Sequence, residues 1–175
     1  MSSAGEIPTP IVPTAPESTR ASQTTLEGSV YNIYSRTTFS NLLLRLTANT
    51  SACTLVFAVY KQKDPNSTTF RKACEGSFAA TGAGAANISV AMTPAPMTLE
   101  PGRILILWGR STAGSATVRT YAGENYETLN SLIHAGTFPV TFTTGLAASS
   151  PFPDTLDATA QTETVNNVAP VVRLI

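Results

Sequence analysis

This sequence is short of the residues that most chemistry needs. It holds one histidine, His134, and two cysteines, Cys53 and Cys74. A single imidazole removes any site built on two and leaves a Ser/His/Asp triad dependent on one residue. The cysteines form no CxxC or Cys/His cluster, which argues against zinc and redox catalysis. Charge is scarce as well: 13% of residues are charged, and 11 cations balance 11 anions. Without a cationic excess, neither nucleic acid nor a membrane is an expected partner. No apolar run approaches the roughly 18 residues of a membrane span. Glu6 and prolines follow Met1–Gly5, where a signal peptide would carry a basic and then an apolar stretch, so synthesis in a cytoplasm is expected.

The short motifs are equally bland. Gly109-Arg110-Ser111-Thr112-Ala113-Gly114 misses the G-x-S-x-G spacing by one residue and reads as a hairpin loop. Gly82-Ala83-Gly84 is followed by neither Lys-Ser/Thr nor a helix start, so it is no phosphate loop. Asp64, Glu75, Glu100, Glu124, Glu127, Asp154, Asp157 and Glu163 are scattered over loops and strand ends, and no D-x-D-x-D-G pattern holds calcium. No metal, cofactor or catalytic residue is expected. The cysteines read as two buried thiols; a bridge is the alternative, since both lie about equally far from the turn at Asp64–Asn66.

What the chain does have is strand grammar. Leu42, Leu44 and Leu46 alternate with polar neighbours over residues 41–47. Residues 54–60 are apolar on both faces, as a central strand requires, and Asp64-Pro65-Asn66 marks a turn to a return strand over 69–76. Further strands are expected over 87–92, 104–108, 117–121, 137–144 and 171–175. A short helix is expected over 125–134, capped by Asn125 and ended by Gly136, which would place His134 at its C-terminus. The pattern predicts an all-β fold: an antiparallel β-sandwich or jelly roll of roughly seven to nine strands with one short helix. Residues 147–170, polar and interrupted by Pro151, Pro153 and Pro170, should cross the surface before the last strand.

Residues 1–23 differ from the rest. Pro8, Pro10, Pro13 and Pro16 forbid a helix, and the segment carries too little apolar surface to offset its own ordering entropy. It therefore reads as an extended arm that orders against a partner, with residues 24–175 as the body. Ile7, Ile11 and Val12 are its apolar anchors, set among Pro8, Pro10 and Pro13. Extended proline segments lose less entropy on docking.

The order of these pieces resembles the jelly-roll domains of tailed-bacteriophage virion proteins, found in capsid decoration (cement) proteins, head fibres and tail fibre tips. The resemblance covers about residues 24–175. It rests on Tyr34-Ser35-Arg36-Thr37-Thr38-Phe39, LVFAVYKQ at 55–62, MTLEPGRILILWG at 97–109, AGTFPVTF at 135–142 and APVVRLI at 169–175. It implies a structural virion protein, homotrimeric, whose N-terminal segment docks on the major capsid protein or another virion subunit. A fibre would bring a long shaft where this chain has a short proline-rich arm, which favours the decoration role. The alternative is a receptor- or carbohydrate-binding tip acting through loops 61–68, 109–116 and 121–126, with Tyr121 and Tyr126 near Asn125 as stacking groups. A hydrolase is a distant third.

Overall fold

Apolar side chains recurring at every second residue drive this chain into sheets, because each such strand must bury one face. The structure, a computed structural model, describes residues 17–121, 141–163 and 169–175. Its strands are β1 Glu17–Ala21, β2 Thr25–Ile33, β3 Thr37–Phe39, β4 Asn41–Ser51, β5 Cys53–Gln62, β6 Thr69–Ala80 and β7 Ala86–Ala91. They continue with β8 Met97–Leu99, β9 Gly102–Arg110, β10 Ser115–Tyr121, β11 Thr141–Ala147, β12 Thr155–Asp157, β13 Thr162–Glu163 and β14 Val172–Leu174. The fold is an all-β antiparallel sandwich, as its sequence pattern predicts.

One sheet is built on β4. Residues 41–46 of β4 pair with β7 on one edge, so β14, at 42–44, and β10, at 46–51, share the other, with β1 beyond β10. The second sheet has seven strands in the order β12-β6-β5-β9-β2-β11-β13. A two-stranded sheet, β3 with β8, sits apart.

Between the two main sheets, Leu42, Leu44 and Leu46 of β4 are buried with Ile88, Val90, Val118, Val172 and Leu174 from their neighbours. The facing sheet contributes Phe57, Val59, Ile106 and Trp108. Phe57 and Trp108 are registered across β5 and β9 and stack with ring centroids 6.5 Å apart. Each large apolar side chain removed from water here contributes about 2 kcal/mol. Tyr31 closes the layer by donating its hydroxyl to the Pro170 carbonyl at 2.7 Å.

The seven-stranded sheet is covered on its other side too. Ala58, Tyr60, Leu105 and Leu107 on that face are fully buried. The chain after β11 reaches this face at Tyr60, which donates to the Pro153 carbonyl at 2.8 Å, and then adds β12 to the sheet edge, where Leu156 registers with Phe70 in β6. Lys72 holds the same strap through the Phe152 carbonyl at 3.0 Å and the Asp154 carboxylate at 3.5 Å. The first half of the 147–170 crossing is thus tied to the chain's own seven-stranded sheet.

Among the described residues there are 14 strands, against seven to nine expected. β3, β8, β12 and β13 are two or three residues long, too short for alternation to show. β2 is the substantial addition: Glu27, Gly28 and Ser29 interrupt its apolar pattern. The first two have local reasons. Glu27 is paired with Arg20, and a Cβ at Gly28 would overlap the Phe142 ring and sit 2.8 Å from Leu107 Cδ2. The 109–114 loop is not a hairpin; it carries the chain from β9 in one sheet to β10 in the other. Gly114, at φ +122°, passes so close to the Ala52 carbonyl that a side chain would collide with it. The expected helix over 125–134, with His134, lies outside the described residues, as do residues 137–140 of the expected 137–144 strand.

The two thiols do not bridge. Cys53 registers with Ala80 and Cys74 with Val59, which places them six residues apart along β5. At the rise of an extended strand that is about 20 Å, far beyond disulfide reach. Each instead occupies a core position.

Candidate functional site

The sequence points to two regions, the arm and a set of loops, and the strand register decides how they are distributed. Arm residues Ile7, Pro8, Pro10, Ile11, Val12 and Pro13 lie outside the described residues. The root of the arm does not. Glu17–Ala21, the last part of segment 1–23, is strand β1, paired from Glu17–Tyr121 through Ala21–Thr117. Just beyond it, Ser22 donates its backbone N–H to the Ala116 carbonyl at 2.9 Å.

An ion pair fastens this root to the opposite sheet. Arg20 Nε lies 3.2 and 3.3 Å from the two carboxylate oxygens of Glu27, and its Nη2 makes a further close contact. Glu27 is 1% exposed and Arg20 27%. Burial pushes the Glu27 carboxyl above its ordinary value, and the Arg20 guanidinium only partly opposes that shift. The pair is charge-assisted and bidentate in form, spanning the corner where the chain leaves one sheet for the other.

The loops named for recognition separate to opposite ends. Loop 61–68 follows the end of β5, whereas loop 109–116 packs against Ala52 at its beginning. The ten residues of β5 between them span about 30 Å. Tyr121 ends β10, and Tyr126 and Asn125 lie outside the described residues. No shared site joins 61–68 to 109–116.

At the 61–68 end the structure forms a cleft of about 620 Å³. Its floor includes the buried Ile33, Leu99 and Ile104, from the ends of β2, β8 and β9. One wall is the β5–β6 loop, held by its own bonds: Gln62 Nε2 to the Ser67 carbonyl at 2.6 Å, and the Lys63 N–H to the Thr69 carbonyl at 3.0 Å. Beside the other wall, β3 and β8 are joined by the Thr38 and Thr98 hydroxyls at 2.8 Å, and Arg36 Nε meets Glu100 Oε1 at 3.2 Å. Lys61, Lys63 and Arg103 line the cleft beside Asn32 and Tyr34, and Tyr34 is 61% exposed.

Among the described lining residues, Lys61, Lys63 and Arg103 are cationic and Asp64 and Glu100 acidic, with Arg36 paired to Glu100. The volume falls in the range of small-ligand clefts, and the walls are set before any ligand arrives. Of these residues, only loop 61–68 is legible from sequence as a recognition segment; Asn32, Tyr34 and Arg103 join it through strand pairing. Among the described residues no three His, Cys, Asp or Glu side chains come together as a metal site. No family model and no curated protein matches the chain.

Proposed function

We propose that this chain is a structural virion protein, a capsid decoration or cement protein of a phage head that docks through its N-terminal arm. The observation that carries this reading is the root of the arm. A five-residue ladder and a buried ion pair tie it to both sheets, so load on the arm passes into the sandwich. An arm that merely trailed from the domain would need neither. The partner under this reading is the major capsid protein or another virion subunit, and the sandwich associates as a homotrimer. Many weak arm contacts on one particle add up through avidity.

The test is removal of residues 1–16, which spares β1. The shortened protein should fold and keep its oligomeric state by light scattering, yet fail to co-sediment with capsids of its parent particle. Undiminished co-sedimentation overturns the docking role.

The cleft favours a second reading, a receptor- or carbohydrate-binding tip. An exposed tyrosine beside amide and cationic side chains, on fixed walls, is a surface suited to a polar ligand.

A further inference from the structure

Ile7, Pro10, Pro13 and Pro16 follow one another at intervals of three residues. That is the period of a polyproline II helix, which has three residues per turn and rises about 3.1 Å per residue. In that form the four side chains share one face. Pro10-Ile11-Val12-Pro13 and Pro13-Thr14-Ala15-Pro16 are overlapping PxxP segments, the kind that docks in aromatic-lined grooves.

The cleft at the end of β2, β5 and β8 has the matching features. Tyr34 lines it and, at 61% exposure, is the most exposed large apolar side chain among the described residues. Pro65, in the β5–β6 loop, and Pro101, between β8 and β9, are also exposed there, above the apolar floor. Asn32 and Tyr34 carry donors for backbone carbonyls, which a polyproline II segment leaves without internal bonds. An extended segment touches such a lining one residue at a time, so the lining groups need not converge on a single point.

The topology brings arm and cleft to the same end of the sandwich. Ser18 registers with Thr120, Thr120 bridges to Pro170, and Tyr31 donates to the Pro170 carbonyl. The start of β1 is thus level with Tyr31, two residues before Ile33 and three before Tyr34. A sheet spacing of about 10 Å and three residues of strand, also about 10 Å, separate the two places. Residues 7–16 span about 30 Å in the polyproline form, enough to reach the cleft of their own chain.

We propose that in the free protein residues 7–13 lie in this cleft of the same chain, with the Ile7, Pro10 and Pro13 face against Tyr34, Pro65 and Pro101. The short tether gives the chain's own cleft an effective concentration on the order of millimolar, which favours it over a second copy. This goes beyond the docking reading, because it gives the arm a resting place that it leaves for a particle surface.

The experiment puts a photo-cross-linker in the full chain, Thr9→benzoylphenylalanine, mixes light and heavy-isotope copies, and maps the products by mass spectrometry. Position 9 should join to cleft residues 33–34, 63–65 or 98–101, within copies of one label. Tyr34→Ala and the paired Pro10→Ala, Pro13→Ala variant should each lower that yield about fivefold, with the melting temperature unchanged. Products that join light to heavy copies would make a second copy the occupant and overturn the proposal. Products away from the cleft, or a yield that ignores both variants, would overturn it too. Capsid co-sedimentation is a separate readout: an arm that docks on particles but never cross-links to the cleft sinks this inference alone. An arm that cross-links within its own chain yet leaves capsids bare supports it and overturns the docking reading alone.

Discussion

Arg20 and Glu27 stand seven residues apart in sequence and in different sheets, and their side chains meet across the corner that joins β1 to β2. Such a pair adds little net stability when made, but removing one member strands the other. Arg20→Ala leaves a carboxylate at 1% exposure without its cation. Because Arg20 is itself partly exposed, the expected loss is about 2–3 kcal/mol, below the roughly 3–5 kcal/mol of a fully buried break. Glu27→Gln should be milder, since the amide oxygen still accepts from Arg20 without the cost of burying a charge. Urea denaturation of the two variants checks the order.

The same burial sets a pH dependence. The folded carboxyl of Glu27 lies above the 4.5 of an ordinary glutamate, so between the two values the folded state holds more proton than the unfolded one. Stability from this group therefore falls as pH rises through that window, and is regained on acidification. Glu27→Gln removes the titration. Relative to that variant, the natural protein should lose stability between about pH 4 and the raised value and run parallel above it. Paired urea midpoints from about pH 4 to about pH 8 measure the difference, and a difference that grows in favour of Glu27 with rising pH contradicts the mechanism.

Gly28 makes room inside a central strand. A methyl there meets the Phe142 ring and lies 2.8 Å from Leu107 Cδ2. Gly28→Ala should cost about 1–3 kcal/mol through overpacking. Adding Phe142→Leu, which removes the ring, should recover part of that loss. Thermal melts of the single and double variants would show the coupling, and strictly additive losses would place the strain elsewhere.

Cys53 and Cys74 should behave as two inert thiols. Burial pushes both above the ordinary thiol value, Cys74 to about 12, with the nearby Glu75 carboxylate adding to the second shift. The thiolate, which is the reactive form, is scarce in the folded protein. An aromatic disulfide reagent should therefore react slowly before denaturation and titrate both thiols afterwards, with or without prior reduction. One missing thiol pair without reductant would mean a bridge that the β5–β6 register forbids.

The core was legible wherever alternation ran for five residues or more. Leu42, Leu44 and Leu46 share a buried face, and β5, apolar on both sides, is paired on both edges. β2 was not legible, because Glu27 and Gly28 make sense only beside Arg20 and Phe142. Sheet membership was hidden for a similar reason: a Gly-rich loop between two strands reads the same whether it turns back in one sheet or crosses to the other. Loop 61–68 could be marked for recognition, but the cleft could not, since Asn32, Tyr34 and Arg103 come from other strands.

The arm ends, structurally, earlier than its composition suggests. Ser and Thr continue to residue 22, yet Glu17–Ala21 is paired strand and Arg20 is the partner of a buried carboxylate. A cut after residue 16 removes the segment that contains Ile7, Ile11 and Val12 and keeps both features. A cut after residue 23 removes β1, exposes the edge of β10 and leaves Glu27 unpaired. The two truncations should therefore part in stability: the first melts with the full chain, while the second loses about 3 kcal/mol or more. Adding Glu27→Gln to the longer truncation removes the stranded charge and should restore part of that loss. Calorimetric melts of the full chain, the two truncations and the Glu27→Gln form of the longer one decide the matter. Equal melting of both truncations would mean that β1 and its ion pair contribute nothing to the body, and the anchored root inferred for the arm would fall with them.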